Sequence, residues 1–134
     1  MRKPSRIPFF THALTRHPLG DDAITIALIA LGGRGIVSVT SNEIPAEMTK
    51  IAHLAMDGDF AGARAMQRTW MPLMEVNFIE SNPIPLKTAL AMMGLLEPVW
   101  RLPMTPPSAQ TRSKVEAVLR STGLLERERI AHAV

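Results

Sequence analysis

GIVSVTS (residues 35–41) is the only stretch of this chain with the pattern of a β-strand, and one strand cannot form a sheet. Ile36, Val37 and Val39 are β-branched, the run is short, and glycine bounds it on one side. Without neighbours, its backbone donors and acceptors have no ladder to join. The chain therefore reads as the tail of an α/β protein rather than as a self-sufficient design.

Everything else with a period is helical. Asp21 and Asp22 open a first helix over residues 22–31, with carboxylates where the positive dipole end favours them. Ile24, Ile26, Leu28, Ile29 and Leu31 make it apolar on nearly every side, so it needs cover on most of its surface. Gly32, Gly33 and Gly35 break it. Pro45 suits the first position of a second helix, whose Met48, Ile51, Ala52 and Ala55 share a face until Gly58. Asp59 caps a longer helix striped by Ala63, Met66, Trp70, Leu73 and Met74, with Pro72 inside it predicting a kink. Pro85 starts a fourth, with Leu86, Ala89, Leu90 and Met93 inward and Gly94 as its stop. The prolines of WRLPMTPPS (residues 100–108) keep that segment extended. Ser108 caps a last helix bearing Val115, Val118 and Leu119 and ending at Gly123, and ERERIAHAV is expected to fray.

Composition narrows the function classes. With 134 residues the chain fits one modest domain, and with no cysteine it has neither disulfides, a thiol nucleophile nor a thiolate metal site. The net charge of +3 is uneven: residues 1–20 hold Arg2, Lys3, Arg6 and Arg16 and no acid, leaving 11 basic and 12 acidic residues beyond them. A near-neutral body argues against nucleic-acid binding, which needs positive charge on a folded face. No apolar run is long enough to span a bilayer, and AITIALIAL (residues 23–31) stops at Gly32. The basic leader is faintly like an organellar transit peptide, but three prolines interrupt it, and a loosely ordered leader is the expectation.

Few residues offer chemistry. His12, His17, His53 and His132 show no ligand spacing, so no metal site is expected. GGRG (residues 32–35) precedes the strand instead of following one and fails as a dinucleotide fingerprint; a tight helix-to-strand connection explains it. Asp21 and Asp22 are a nominal acid–base pair, but adjacent side chains diverge, which favours capping and first-turn roles. The methionines at 48, 56, 66, 71, 74, 92 and 93 recur on helices as core filling. Lys87, in SNPIPLKTAL (residues 81–90), is the one candidate amine. A Schiff-base lysine must be neutral, through desolvation or a neighbouring cation, and the chain has no tyrosine to relay a proton beside it. The plainer reading is a solvated first-turn lysine.

Taken together, GDD (20–22), LGGRGIVSVTSN (31–42), DGDFAGARAMQRTWMPL (57–73), NPIPLK (82–87) and RLPMTP (101–106) resemble the C-terminal part of the dihydrodipicolinate (4-hydroxy-tetrahydrodipicolinate) synthase family. NPIP-x-K followed by RLPMTP is far more specific than either motif alone. The resemblance implies a mainly α chain: the remnant of a (β/α)8 barrel, about one to two strands, plus a helical C-terminal extension. It divides the chain into a basic leader (1–19), the last barrel helix and strand (20–42) and a helical C-terminal region (43–134).

Family members are cytoplasmic lyases that condense pyruvate with aspartate semialdehyde in lysine biosynthesis, without a cofactor, through a lysine Schiff base. By position, Val37 falls where the family lines its pyruvate pocket with isoleucine. Gly20 matches the glycine ending the seventh strand, and Asn82 an asparagine near the active-site entrance. Lys87 matches a position that is not the Schiff-base lysine. That lysine, the threonine and tyrosine of the proton relay and the carboxylate-binding arginine lie upstream of every matching segment, so no catalytic residue is assigned. A barrel alone takes about 250 residues, and TRHPLG, with Pro18, is a poor seventh strand. The expectation is a truncated homologue, inert alone. The alternatives are a helical interaction or complementation module, which docks on an N-terminal half or self-associates, and part of another pyruvate-dependent aldolase such as N-acetylneuraminate lyase.

Overall fold

Local signals set the helix ends. The computed structural model describes residues 21–125. The leader, Gly20, the TRHPLG stretch, His12, His17, His132 and the ERERIAHAV tail lie outside the described residues. Within them the order is a 3₁₀ turn (Asp22–Ile24), α1 (Thr25–Ala30), a second 3₁₀ turn (Thr40–Asn42), α2 (Pro45–Met56), α3 (Phe60–Val76), α4 (Ile84–Met92) and α5 (Ala109–Ser121). Asp59 accepts from the Gly62 N–H at 2.9 Å and Ser108 from the Thr111 N–H at 3.1 Å, both as expected of N-caps. Gly32, Gly58, Gly94 and Gly123 all take positive φ at the predicted stops. After α1 the Gly32 N–H reaches the Ile29 carbonyl and the Gly33 N–H the Leu28 carbonyl, both at 2.9 Å, which satisfies two orphan carbonyls. A Cβ on Gly33 would lie 2.8 Å from the Leu28 oxygen, so the connection is closed to larger residues.

The helices pack into one main core. Met48 and Ile51 of α2 meet Trp70, Leu73 and Met74 of α3, with Ala89 of α4 and Val115 and Leu119 of α5 completing the cluster. The expected face of α2 is buried, α5 buries Val115 and Leu119 but leaves Val118 half-buried, and α3 buries every predicted stripe residue except the half-buried Met66. Helix α3 runs unbroken through Pro72, which is exposed, to Val76. Helix α4 departs from its prediction: Leu90 is half-buried, while Ile84, Pro85 and Thr88 join Leu86 and Ala89 inside. Thr88 tolerates burial because its hydroxyl donates to the Ile84 carbonyl at 2.8 Å.

The predicted strand is the main correction. No strand occurs among the described residues, so the expected barrel strand over residues 35–41 is not formed there. Its β-branched residues run as unpaired chain, and the run ends in the turn at Thr40. The Thr40 N–H donates to a carboxylate oxygen of Asp22 at 2.7 Å, the place a ladder partner would otherwise fill. The first helix is also shorter than predicted, a 3₁₀ turn followed by six helical residues, with Leu31 exposed.

Leu73 is fully buried at the centre of the main core. Leu73→Ala is expected to cost about 2–5 kcal/mol, read as a lower urea midpoint with the urea dependence unchanged.

Candidate functional site

The NPIPLK segment builds one edge of the site. The Ile84 N–H closes a turn on the Ser81 carbonyl and the Lys87 N–H reaches the Pro83 carbonyl, both at 2.9 Å. The Asn82-Pro83 peptide is cis, as is Leu102-Pro103. Lys87 thus leaves the first turn of α4 toward the proline-rich segment that follows, where its ammonium donates to the Val99 carbonyl. The same nitrogen stands 5.9 Å from the centroid of the Trp100 ring. Around it Pro83, Leu96, Glu97, Arg101 and Met104 line an open groove of about 480 Å³.

Lys87 is half-buried in the first turn of α4 and held by these two contacts. Its hydrogen bond to Val99 and its place over the Trp100 ring hold the amine against the proline-rich segment. It is a strut between α4 and the segment over residues 96–104. The half-buried, partnered state of Lys87 was not foreseen from the sequence.

The other sequence candidates do not meet. Val37 is 66% exposed in the unpaired segment, and Asn82 is exposed in the turn before α4. Neither lines the groove above nor the second groove, about 380 Å³, between α1 and α3. Gly20 falls outside the described residues. His53 is exposed, and the described residues hold no cluster of His, Cys, Asp or Glu able to bind a metal. None of the described helices is long and apolar enough to cross a membrane.

Sequence reasoning missed a buried polar cluster. Asp21 caps the first turn as expected, accepting from the Ala23 N–H at 3.0 Å. Asp22 instead turns inward and is 1% exposed. Its partner Thr40 accepts at Oγ1 from Asn77 Nδ2 at 3.3 Å, and the same amide donates to Glu43 Oε2 at 2.7 Å. Burial pushes the Glu43 carboxyl up to about 8; the Asn77 bond offsets part of this and the Asp22 charge adds to it. Glu43 and Asn77 sit directly beside Ile44 and Val76, both core residues. A polar residue flanking the apolar register was the only signal of this cluster in the sequence.

The model of the Dihydrodipicolinate synthetase family matches residues 17–122. The chain belongs to this family. It is 46% identical over 127 residues to the 4-hydroxy-tetrahydrodipicolinate synthase of Acidobacterium capsulatum, covering 90% of this chain and 42% of the relative. The synthase of Methanocaldococcus jannaschii is 43% identical over 106 residues, covering 79% and 37%. Among solved structures, the Aquifex aeolicus dihydrodipicolinate synthase aligns with a TM-score of 0.78 at 35% identity, over 92% of this chain and 44% of that one. The Thermotoga maritima enzyme gives 0.76 at 40% identity, over 79% and 36%. The chain thus spans less than half the length of these synthetase-family relatives, as expected of a C-terminal portion.

Replacing the strut tests its role. Lys87→Met keeps the apolar stem but removes the charge. It should cost about 1 kcal/mol and speed amide exchange across residues 96–104, with α2 and α3 unchanged.

Proposed function

We propose that this chain is the C-terminal segment of a 4-hydroxy-tetrahydrodipicolinate synthase, a lyase condensing pyruvate with aspartate semialdehyde through a lysine Schiff base in cytoplasmic lysine biosynthesis. Identity of 46% to such a synthase over 90% of the chain carries this reading. In it, residues 20–42 are the last helix and closing strand of a (β/α)8 barrel, and the following helices are its C-terminal extension. Val37 lines the pyruvate pocket, Gly20 lies by the second substrate, and Asn82 stands at the entrance. The high exposure of Val37 supports that role, since a branched side chain left open here is available to a wall supplied by other barrel strands.

Residues beyond this segment supply the reacting amine. The engagement of Lys87 with Val99 and Trp100 supports that division of labour. A second reading, docking of this segment on a separate N-terminal half or on itself, draws on the exposure of Leu31, Val37, Leu95, Val99 and Leu102, the last at 88%.

Incubation of the 134-residue chain with pyruvate and borohydride is expected to leave its mass unchanged. Mixing with the N-terminal part of the Acidobacterium relative should place a pyruvyl adduct on that partner. An adduct on Lys87 would refute the proposal.

A further inference from the structure

Three buried oxygens of the cluster, Asp22 Oδ1, Glu43 Oε1 and Asn77 Oδ1, have no donor among the described residues, and the last two belong to side chains already joined. Asn77, at 0% exposure, is joined to Glu43, at 6%, through Nδ2 and Oε2. Their second oxygens, Asn77 Oδ1 and Glu43 Oε1, are both buried and find no donor among the described residues. A carboxylate and an amide oxygen are acceptors only, so neither can satisfy the other. One added proton changes that: a carboxylic acid donates where a carboxylate cannot.

We propose that Glu43 carries a proton in the folded chain and shares it with Asn77 as a doubly bonded acid–amide pair, a latch between the entry to α2 and the end of α3 that opens when the proton leaves. In the closed state Asn77 Nδ2 donates to Glu43 Oε2, and the Glu43 Oε1 hydroxyl donates to Asn77 Oδ1. The surrounding charges favour it. Asp22 faces Glu43 from the first turn with the same sign, α1 has no ionisable side chain, and Glu47 on α2 is acidic. The cations of the packed helices, Lys50, Arg64, Arg68, Arg112, Lys114 and Arg120, are exposed, as are His53 and Glu75. Ionised Glu43 would stand beside Asp22 with no counterion in the cluster's hydrogen bonds. Asn77 caps α3 and begins the turn that carries Asn82, so the latch sits at the root of that turn.

The sign of the pH effect identifies the latch. The Glu43 carboxyl titrates at about 8 when folded against an ordinary value of 4.5, so the folded chain holds the extra proton between these limits. Its contribution to stability is complete below 4.5 and is lost as pH rises through about 8, the reverse of a salt-bridged carboxylate.

Glu43→Gln keeps the shape and an N–H donor without the titration. It should flatten the fall in stability that the unmodified chain shows over this pH range; equal slopes in both proteins would overturn the latch. Carboxyl carbon NMR of the unmodified chain provides a reading independent of any variant. One glutamate should stay protonated at pH 6, well above the ordinary 4.5, and the Asn77 side-chain amide signals should move with its titration. Every glutamate ionised at that pH, or an Asn77 amide indifferent to the titration, would overturn it.

Discussion

The packing of α2 against α3 is the contact on which the other elements depend. Met48 and Ile51 press on Leu73 and Met74, all essentially inaccessible to solvent. Full burial of each such side chain contributes roughly 1.5–3 kcal/mol. The remaining helices build on this pair: α5 lays Val115 and Leu119 onto α3, α4 packs on α5 and adds Ala89 and Met93 to the core, and α1 closes a smaller cluster through Ile29, Ala52, Ala55 and Ala63. Gln67 on α3 donates to the Ala23 carbonyl and so ties the first turn to the same body. Helix-on-helix burial, not sheet pairing, accounts for the order of the described residues.

This has a direct chemical consequence. Class I aldolase chemistry needs a desolvated amine inside a cavity, with a proton relay beside it. The described segment has open grooves, and the lysine at one of them is already bonded to a carbonyl and stacked near a ring. The chain belongs to the dihydrodipicolinate synthetase family and spans less than half the length of these relatives. The hydrogen bond between Asn77 and Glu43 joins the end of α3, where the turn bearing Asn82 begins, to the entry of α2.

Helix limits and faces were legible because they depend on neighbours in sequence. Asp59, Ser108 and Pro45 act within one turn, and a glycine stop needs only its own φ. The strand at residues 35–41 was not reliably legible, because β-branching expresses a preference that a ladder must realise. Glu43, Asn77 and Asp22 were missed for a related reason: their burial depends on partners 18 to 37 positions away. The tie of Lys87 to Val99 was not legible, because it depends on how the proline-rich segment folds back.

Native-state amide exchange of the whole chain tests the claim that helices alone hold this segment. The slowest amides should belong to α2, α3 and α5, with Thr40 protected by the Asp22 carboxylate and Ile36, Val37 and Val39 exchanging quickly. Protection at Ile36, Val37 and Val39 matching that of α3 would reveal a paired strand and contradict it.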